Sequence, residues 1–243
     1  MPNPVSKPAL RRYAVPGAAA VLVSLLAACG SGGGSSSSTA QDSAQSPVQS
    51  SPTSNVTCDY PDAPQGATGN VSKPPSTPDV QGTVDVTMTT SIGSIGAKLD
   101  ADKTPCTVNS FVSLARQGFF DKTPCHRLTT TPATIFVLQC GDPTGTGTGG
   151  PGYTIPDELS GNETYGPGTL AMAKTQQPNS GGSQFFIVYQ NTPLPPNYTV
   201  FGQVDAAGLK AVQKVAKQGT DNAFGDGDGH PKVPVTIDSV TGG

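Results

Sequence analysis

The chain has 243 residues, 14 Lys and Arg against 17 Asp and Glu, and a formal net charge of −3. That balance supplies no basic patch for a nucleic acid, so nucleic-acid partners are excluded. With only two histidines, His126 and His230, and no C-x-x-C spacing, a zinc site is not expected either.

Lys7, Arg11 and Arg12 precede a short apolar run, Ala18 to Ala28. Polar-then-apolar order, in a run too short to span a bilayer, predicts a secretory signal over residues 1–28. The run ends Leu26-Ala27-Ala28-Cys29, which matches the bacterial lipobox. The expectation is therefore cleavage before Cys29, a palmitate-bearing lipid on its thiol, and a cell-membrane location facing away from the cytoplasm. An ordinary signal with Cys29 incidental is the plainer alternative. Arg11-Arg12 leaves twin-arginine export open beside the general route.

Residues 29–80 are rich in Gly, Ser, Pro and Thr and bury too little apolar surface to order themselves. They read as a tether, about fifty residues with a reach of roughly 40 Å. Beyond Cys29 there are four cysteines, Cys58, Cys106, Cys125 and Cys140. An even number in an exported chain predicts two disulfides, with three pairings open.

From residue 81 to 243 the pattern is that of a β-rich domain. Val84, Val86 and Met88 alternate with polar residues, Ser91 to Ser94 turn, and Ile95, Ala97 and Leu99 resume the period of two, which predicts a hairpin. Further strands are predicted at Cys125–Leu128, Ile135–Cys140, Thr169–Ala173, Phe185–Tyr189, Val200–Val204 and Val235–Val240. One helix opens at Pro105, buries Val108, Phe111, Val112 and Ala115, and stops at Gly118. A second aligns Leu209, Val212 and Ala216 and ends at Gly219. Several short strands with two helices predict a barrel or sandwich closed by helices.

Hydrolytic chemistry finds little support. Asn179 to Gly182 faintly echo a nucleophile loop, but no G-x-S-x-G elbow is present, and neither histidine stands in a context suited to a triad. The glycine loop Gly145–Gly152 lacks the lysine and the following helix of a phosphate cradle. Asp226 and Asp228 suggest a calcium loop, yet the twelfth position counted from Asp226 is Ile237, where a bidentate glutamate is required. Asp157 and Glu158 are adjacent and read as solvated rather than as a catalytic pair.

What remains is a peptide-binding groove. His126-Arg127, then Phe136, Val137 and Gln139 ahead of Gly141-Asp142, then Met172 to Thr175, Ser183 to Phe186, and Leu194 to Gly202 together resemble the cyclophilin family of peptidyl-prolyl cis-trans isomerases, in an exported, actinobacterial-type lipoprotein form. The resemblance covers about 160 residues. It implies a closed eight-stranded antiparallel β-barrel capped by two α-helices, Arg127 as the catalytic residue, and Phe136, Val137, Gln139, Ala173, Lys174, Thr175, Gln184, Phe186, Leu194 and Tyr198 as substrate-binding residues. No cofactor and no metal are implied, the partners are proline-containing polypeptides, and the protein is expected to be a monomer. The departures are Cys140 for a glycine, Lys174 for an asparagine, Tyr198 for a histidine, and a longer loop at Thr129–Thr134. Pro193 stands where some members carry a tryptophan that helps hold cyclosporin, so weak binding of that drug with activity retained is expected, which a titration checks.

The implied function is catalysis of X-Pro bond rotation in exported proteins, assisting their folding. Its rival is a module or chaperone of the same fold that binds proline-containing segments without significant turnover.

Overall fold

The computed structural model describes residues 56–243; the predicted leader, Cys29 and the first part of the tether lie outside them. In chain order the elements are β1 (Thr83–Thr90), β2 (Gly93–Asp100), α1 (Pro105–Arg116), β3 (Thr123–Pro124), β4 (Arg127–Thr129), β5 (Val137–Cys140), β6 (Thr169–Met172), β7 (Phe185–Val188), β8 (Val200–Val204), α2 (Ala206–Ala216), β9 (Asp228–Gly229) and β10 (Thr236–Gly242). All ten strands join one antiparallel sheet in the order β3-β10-β1-β2-β8-β6-β7-β5-β4-β9, curled into a half-barrel.

The β1–β2 hairpin forms where the alternation predicts it. Every second residue of β1 is buried, and Val84, Val86 and Met88 pair across from Leu99, Ala97 and Ile95. α1 lays Phe111 on this interior, stacked on Phe120 at 5.0 Å and edge-on to Phe185 at 5.5 Å. Burying a side chain of this class is worth about 1.5–3 kcal/mol. Thr104 makes no side-chain cap for α1. Glu158 does so from a distance, accepting from the backbone N–H of Cys106 (2.9 Å) and Thr107 (2.8 Å), which places a carboxylate on the positive end of the helix. At α2, Asp205 accepts from Gly208 N (2.6 Å). Gly208 lies so close to Ile95 that a Cβ there would meet its methyl at 2.6 Å.

The closed eight-stranded barrel needs correction to ten strands in an open ladder. Of the strand expected at Cys125–Leu128, only Arg127 and Leu128 are in the ladder, as part of β4, and the short β3 precedes the stretch. β3 pairs with β10, while β4 pairs with β5 and β9. Between them Cys125 and His126 leave the ladder, Cys125 to bond Cys140 and His126 to bury its ring. β9, two residues long, has no hydrophobic period to announce it.

The tether boundary also moves. Its composition runs to residue 80, yet residues 56–80 pack on the domain. Cys58 bonds Cys106. The buried Tyr60 donates to the Cys106 carbonyl (3.0 Å), and Asn109 Nδ2 donates to the Tyr60 hydroxyl (3.0 Å) and the Pro75 carbonyl (2.9 Å). Burial first of all pushes the Tyr60 hydroxyl up to about 12. Ring contact with Tyr153 at 5.6 Å completes the attachment of this strap. The second disulfide, Cys125–Cys140, joins the link just before β4, which carries Arg127, to the end of β5, which carries Gln139.

Candidate functional site

Sheet register decides which side chains share a face. In an antiparallel pair, directly opposed residues point the same way and neighbours along a strand point oppositely. Arg127 opposes Gln139, Gln139 opposes Phe186, Phe186 opposes Ala171, and Ala171 opposes Val200. Val137 opposes Val188 two residues along. These residues form one face, turned away from the interior that holds Leu138, Leu170, Phe185, Ile187 and Phe201. A one-residue slip would exchange the two sets.

On that face Val137, Tyr165, Ala171, Phe186 and Val188 form a second apolar cluster, with Ala173, Leu194, Tyr198 and Val200 packed against it. Phe186 and Tyr198 meet edge to face at 5.6 Å. Tyr165, not singled out by sequence, holds the segment that carries Tyr198. Its hydroxyl donates to the Tyr198 carbonyl (3.1 Å) and accepts from Tyr198 N (3.0 Å).

Arg127 stands at the edge of this cluster, its side chain about a third exposed. Nε donates to Asp228 Oδ1 (2.8 Å), Nη2 to Oδ2 (2.6 Å), and Nη1 to Gln139 Oε1 (3.4 Å). The Asp228 bonds hold the guanidinium more firmly to its proton, against the opposing effect of burial, with a further Coulombic contribution from Tyr198. A guanidinium has five N–H donors, so two of them remain uncommitted, one on each Nη. The sequence marks Asp228 only as part of an acidic, glycine-rich run that does not fit a calcium loop. It comes to Arg127 from 101 positions away.

Gln139 Nε2 donates to Gln184 Oε1 (2.9 Å), and Gln184 Nε2 donates to the carbonyls of Gly147 and Gly149, both at 3.0 Å. The glycine loop is in turn gathered round Asp142, which is fully buried. Asp142 Oδ1 accepts from Thr144 N and Oγ1 (both 2.7 Å), and Oδ2 accepts from Gly147 N (2.6 Å). Burial pushes the Asp142 carboxyl up, but hydrogen bonds from Thr144 and the backbone N–H groups of Gly149 and Gly147 outweigh it and hold the group below the usual range. Gly149 must be glycine here, because a Cβ would run into Asp142 Oδ1.

The remaining candidates divide. Lys174 and Thr175 line a side cavity beyond Gln139 and Gln184. Lys174 pairs with Asp157 at 3.3 Å, both side chains largely buried, so Asp157 is not the solvated group its sequence context suggests; neither is Glu158, which caps α1. Phe136 stays out of the Phe186 cluster. It packs on the main core, meets Tyr189 edge-on at 6.0 Å, and lines a separate depression with Thr130, Tyr189 and Gln213.

His126, beside Arg127, is buried and its Nδ1 has no partner. Desolvation first of all holds it below the ordinary 6.5, and Arg127 and His230 push the same way against Asp142. Above 6.5 both folded and unfolded chains carry a neutral ring. Below it the unfolded chain takes a proton that the folded chain refuses, so stability falls with falling pH, by up to about 1.4 kcal/mol per pH unit. His126→Phe should remove the part of the fall in urea-unfolding free energy that begins below about pH 6.5, and leave the loss at lower pH, from Asp142, in place.

Residues 84–242 match the family model described as cyclophilin type peptidyl-prolyl cis-trans isomerase/CLD. The chain is 48% identical over 208 residues to the probable peptidyl-prolyl cis-trans isomerase B of Mycobacterium tuberculosis, covering 80% of this chain and 66% of that protein, just under two thirds of its length. It is 38% identical over 178 residues to peptidyl-prolyl cis-trans isomerase A of the same organism, covering 65% of this chain and 92% of that one. A crystal structure of a Cryptosporidium parvum cyclophilin type peptidyl-prolyl cis-trans isomerase superposes with a TM-score of 0.58 at 27% identity, covering 66% of this chain and 98% of its own. A second crystal structure of that protein, in the presence of the dipeptide Ala-Pro, gives 0.57 at 28% identity over 65% and 98%.

Proposed function

Because the chain belongs to the cyclophilin-type peptidyl-prolyl cis-trans isomerase family, we propose that it accelerates rotation about X-Pro bonds, with Arg127 stabilising the bond midway. The observation that supports this reading is the guanidinium on the same sheet face as the Val137–Phe186–Tyr198 apolar cluster, with donors still uncommitted. An X-Pro bond is planar by resonance, with a barrier of about 18–20 kcal/mol. Twisting it returns the lone pair to the prolyl nitrogen, and a donor placed there favours the twisted state over either planar one. The proline ring rests on Phe186, Val137 and Leu194, and Gln139 anchors a neighbouring carbonyl so that one flank stays fixed while the other turns. No nucleophile, metal or cofactor is called for. A protease-coupled assay of a short X-Pro peptide with the mature chain tests the proposal; a rate equal to the uncatalysed one ends it.

Asp228 keeps the arginine in one rotamer. Ordering a free arginine side chain costs up to about 2 kcal/mol, so Asp228→Ala should lower kcat/KM roughly tenfold. Asp228→Asn, which keeps one acceptor, should fall between. A rate that rises on removal of Asp228 would mean the carboxylate competes with the substrate for the guanidinium. That same bidentate pair favours the second reading, a module that holds proline segments without turnover.

The setting of this activity is proposed too: a lipid on Cys29 anchors the protein outside the cytoplasmic membrane, where as a monomer it assists the folding of exported chains. Two disulfides support an oxidising compartment. The mass of the mature N-terminus tests the anchor, and an unmodified Cys29 rules it out.

A further inference from the structure

Between β7 and β8 the chain runs through Thr192-Pro193-Leu194-Pro195-Pro196-Asn197-Tyr198. Two of these side chains, Leu194 and Tyr198, pack against the apolar cluster of the groove face. Pro193, Pro195, Pro196 and Asn197 are exposed, and Leu194 and Tyr198 are only half-buried, so core packing alone fixes little of the segment. Its prolines hold φ and have no N–H to give. Its inner hydrogen bonds, Leu194 N to the Thr192 carbonyl (2.9 Å) and Asn197 N to the Pro195 carbonyl (2.8 Å), are local. It is a stiff strut whose position depends on its ends.

Both ends are held by one residue, Tyr165. Its carbonyl accepts from Thr192 N (3.1 Å). At the other end its hydroxyl accepts from Tyr198 N (3.0 Å) and donates to the Tyr198 carbonyl (3.1 Å). Among the described residues, no other hydrogen bond ties residues 193–198 to chain outside the strut. The Tyr165 ring is 4% exposed, tilted on Phe186 at 6.4 Å and edge-on to Tyr198 at 6.2 Å, so packing decides where the hydroxyl stands.

The residues flanking the strut have holds of their own. Thr192 Oγ1 accepts from Phe136 N (3.0 Å). Thr199 Oγ1 accepts from Glu158 N (2.9 Å), and the Thr199 carbonyl accepts from Met172 N (2.9 Å). Loss of the phenol would therefore free the strut at Tyr198 and leave β8 in the sheet.

Resting on the isomerase reading, we propose that Tyr165 is a positioning residue, whose hydroxyl pins the Leu194–Tyr198 strut against Phe186 as one wall of the seat for the proline ring. It touches no reacting atom, and the bonds of Arg127, to Asp228 and Gln139, do not involve it. Its loss should be felt in the grip on the substrate and not in the twisting step.

Tyr165→Phe keeps the ring and deletes the hydroxyl alone. In the full mature chain it should raise KM for a short X-Pro peptide about three- to tenfold and leave kcat within about twofold. Leu194→Ala should also raise KM, and the double variant should lose less than the product of the two losses, because both act on one wall. Losses that multiply, or a fall in kcat as large as that in kcat/KM, overturn the proposal. The wild-type chain supplies a reading that needs no variant to fold: exchange of the Tyr198 amide hydrogen, whose acceptor is the phenol, should be slowed about tenfold or more relative to an unstructured peptide. An unprotected Tyr198 amide overturns the proposal as well. Calorimetric affinities separate the two layers: a wild type that isomerises no peptide ends the isomerase reading, while a threefold or greater loss of peptide affinity in Tyr165→Phe leaves the pinned strut standing.

Discussion

Arg127→Ala is expected to lower kcat/KM for a short X-Pro peptide about ten- to a hundredfold, with peptide affinity changed by less than about threefold. The range follows from one charge-assisted hydrogen bond, roughly 1.5–3 kcal/mol, made in the twisted state and absent from either planar state. Affinity should survive because, on the proposed reading, the proline ring rests on Phe186, Val137 and Leu194 and not on Arg127. Arg127→Lys should recover little. An ammonium is a single point charge, and it cannot span both Asp228 oxygens while also reaching the substrate. Stopped-flow rates together with calorimetric affinity decide the matter. A variant that keeps its rate shows that Arg127 is only a partner for Asp228, and one that loses rate and affinity in parallel favours the binding module.

The second large effect concerns stability. Replacing Cys58 and Cys106 together with serine should cost about 4 kcal/mol in guanidinium unfolding, from the loop entropy released across a separation of 48 residues. The corresponding loss for Cys125 and Cys140, separated by 15, is about 3 kcal/mol. The two should also differ in kind. Without Cys58–Cys106 the strap is held by Tyr60, Asn109 and the backbone bonds to Gly150 and Gly152, so limited proteolysis should first cut between residues 61 and 80. Without Cys125–Cys140 the cut should not fall there. Equal losses with the same proteolytic pattern would contradict the separate roles assigned to the two bonds.

Where the chain alternates strictly, as at Val84, Val86 and Met88 or at Ile95, Ala97 and Leu99, pattern and structure agree, because a half-buried strand admits no other arrangement. α1 was equally plain from Pro105 and the Val108–Phe111–Val112–Ala115 face. Arg127, Gln139, Gln184 and Phe186, distant in the chain, are neighbours through the β4–β5–β7 register and the Gln139–Gln184 bond. Features created by distant pairing left no local trace. β9 is two residues among glycines and aspartates, and Asp228 acquires its meaning only when the sheet sets it against Arg127. The strap reads as a tether because prolines and serines dominate its composition, whereas its attachment depends on Tyr60, Cys58 and backbone bonds that carry no period. Phe136 shows the limit of transfer along a strand. It directly precedes β5, and its ring goes to Tyr189 instead of joining Val137 and Phe186.

The hydrogen bonds running outward from Arg127 have a direction. Gln184 must turn its NH₂ toward the two glycine carbonyls, because its oxygen there would face two other oxygens. That leaves its own oxygen for Gln139, which must in turn present NH₂ to Gln184 and oxygen to Arg127. Neither amide can flip alone without setting like against like. Gln139 keeps its second amide proton clear of these bonds, so on the isomerase reading it can donate to a peptide's C=O beside the bond being turned. The direction in which that proton points is thus dictated by the backbone of the glycine loop, through Gln184.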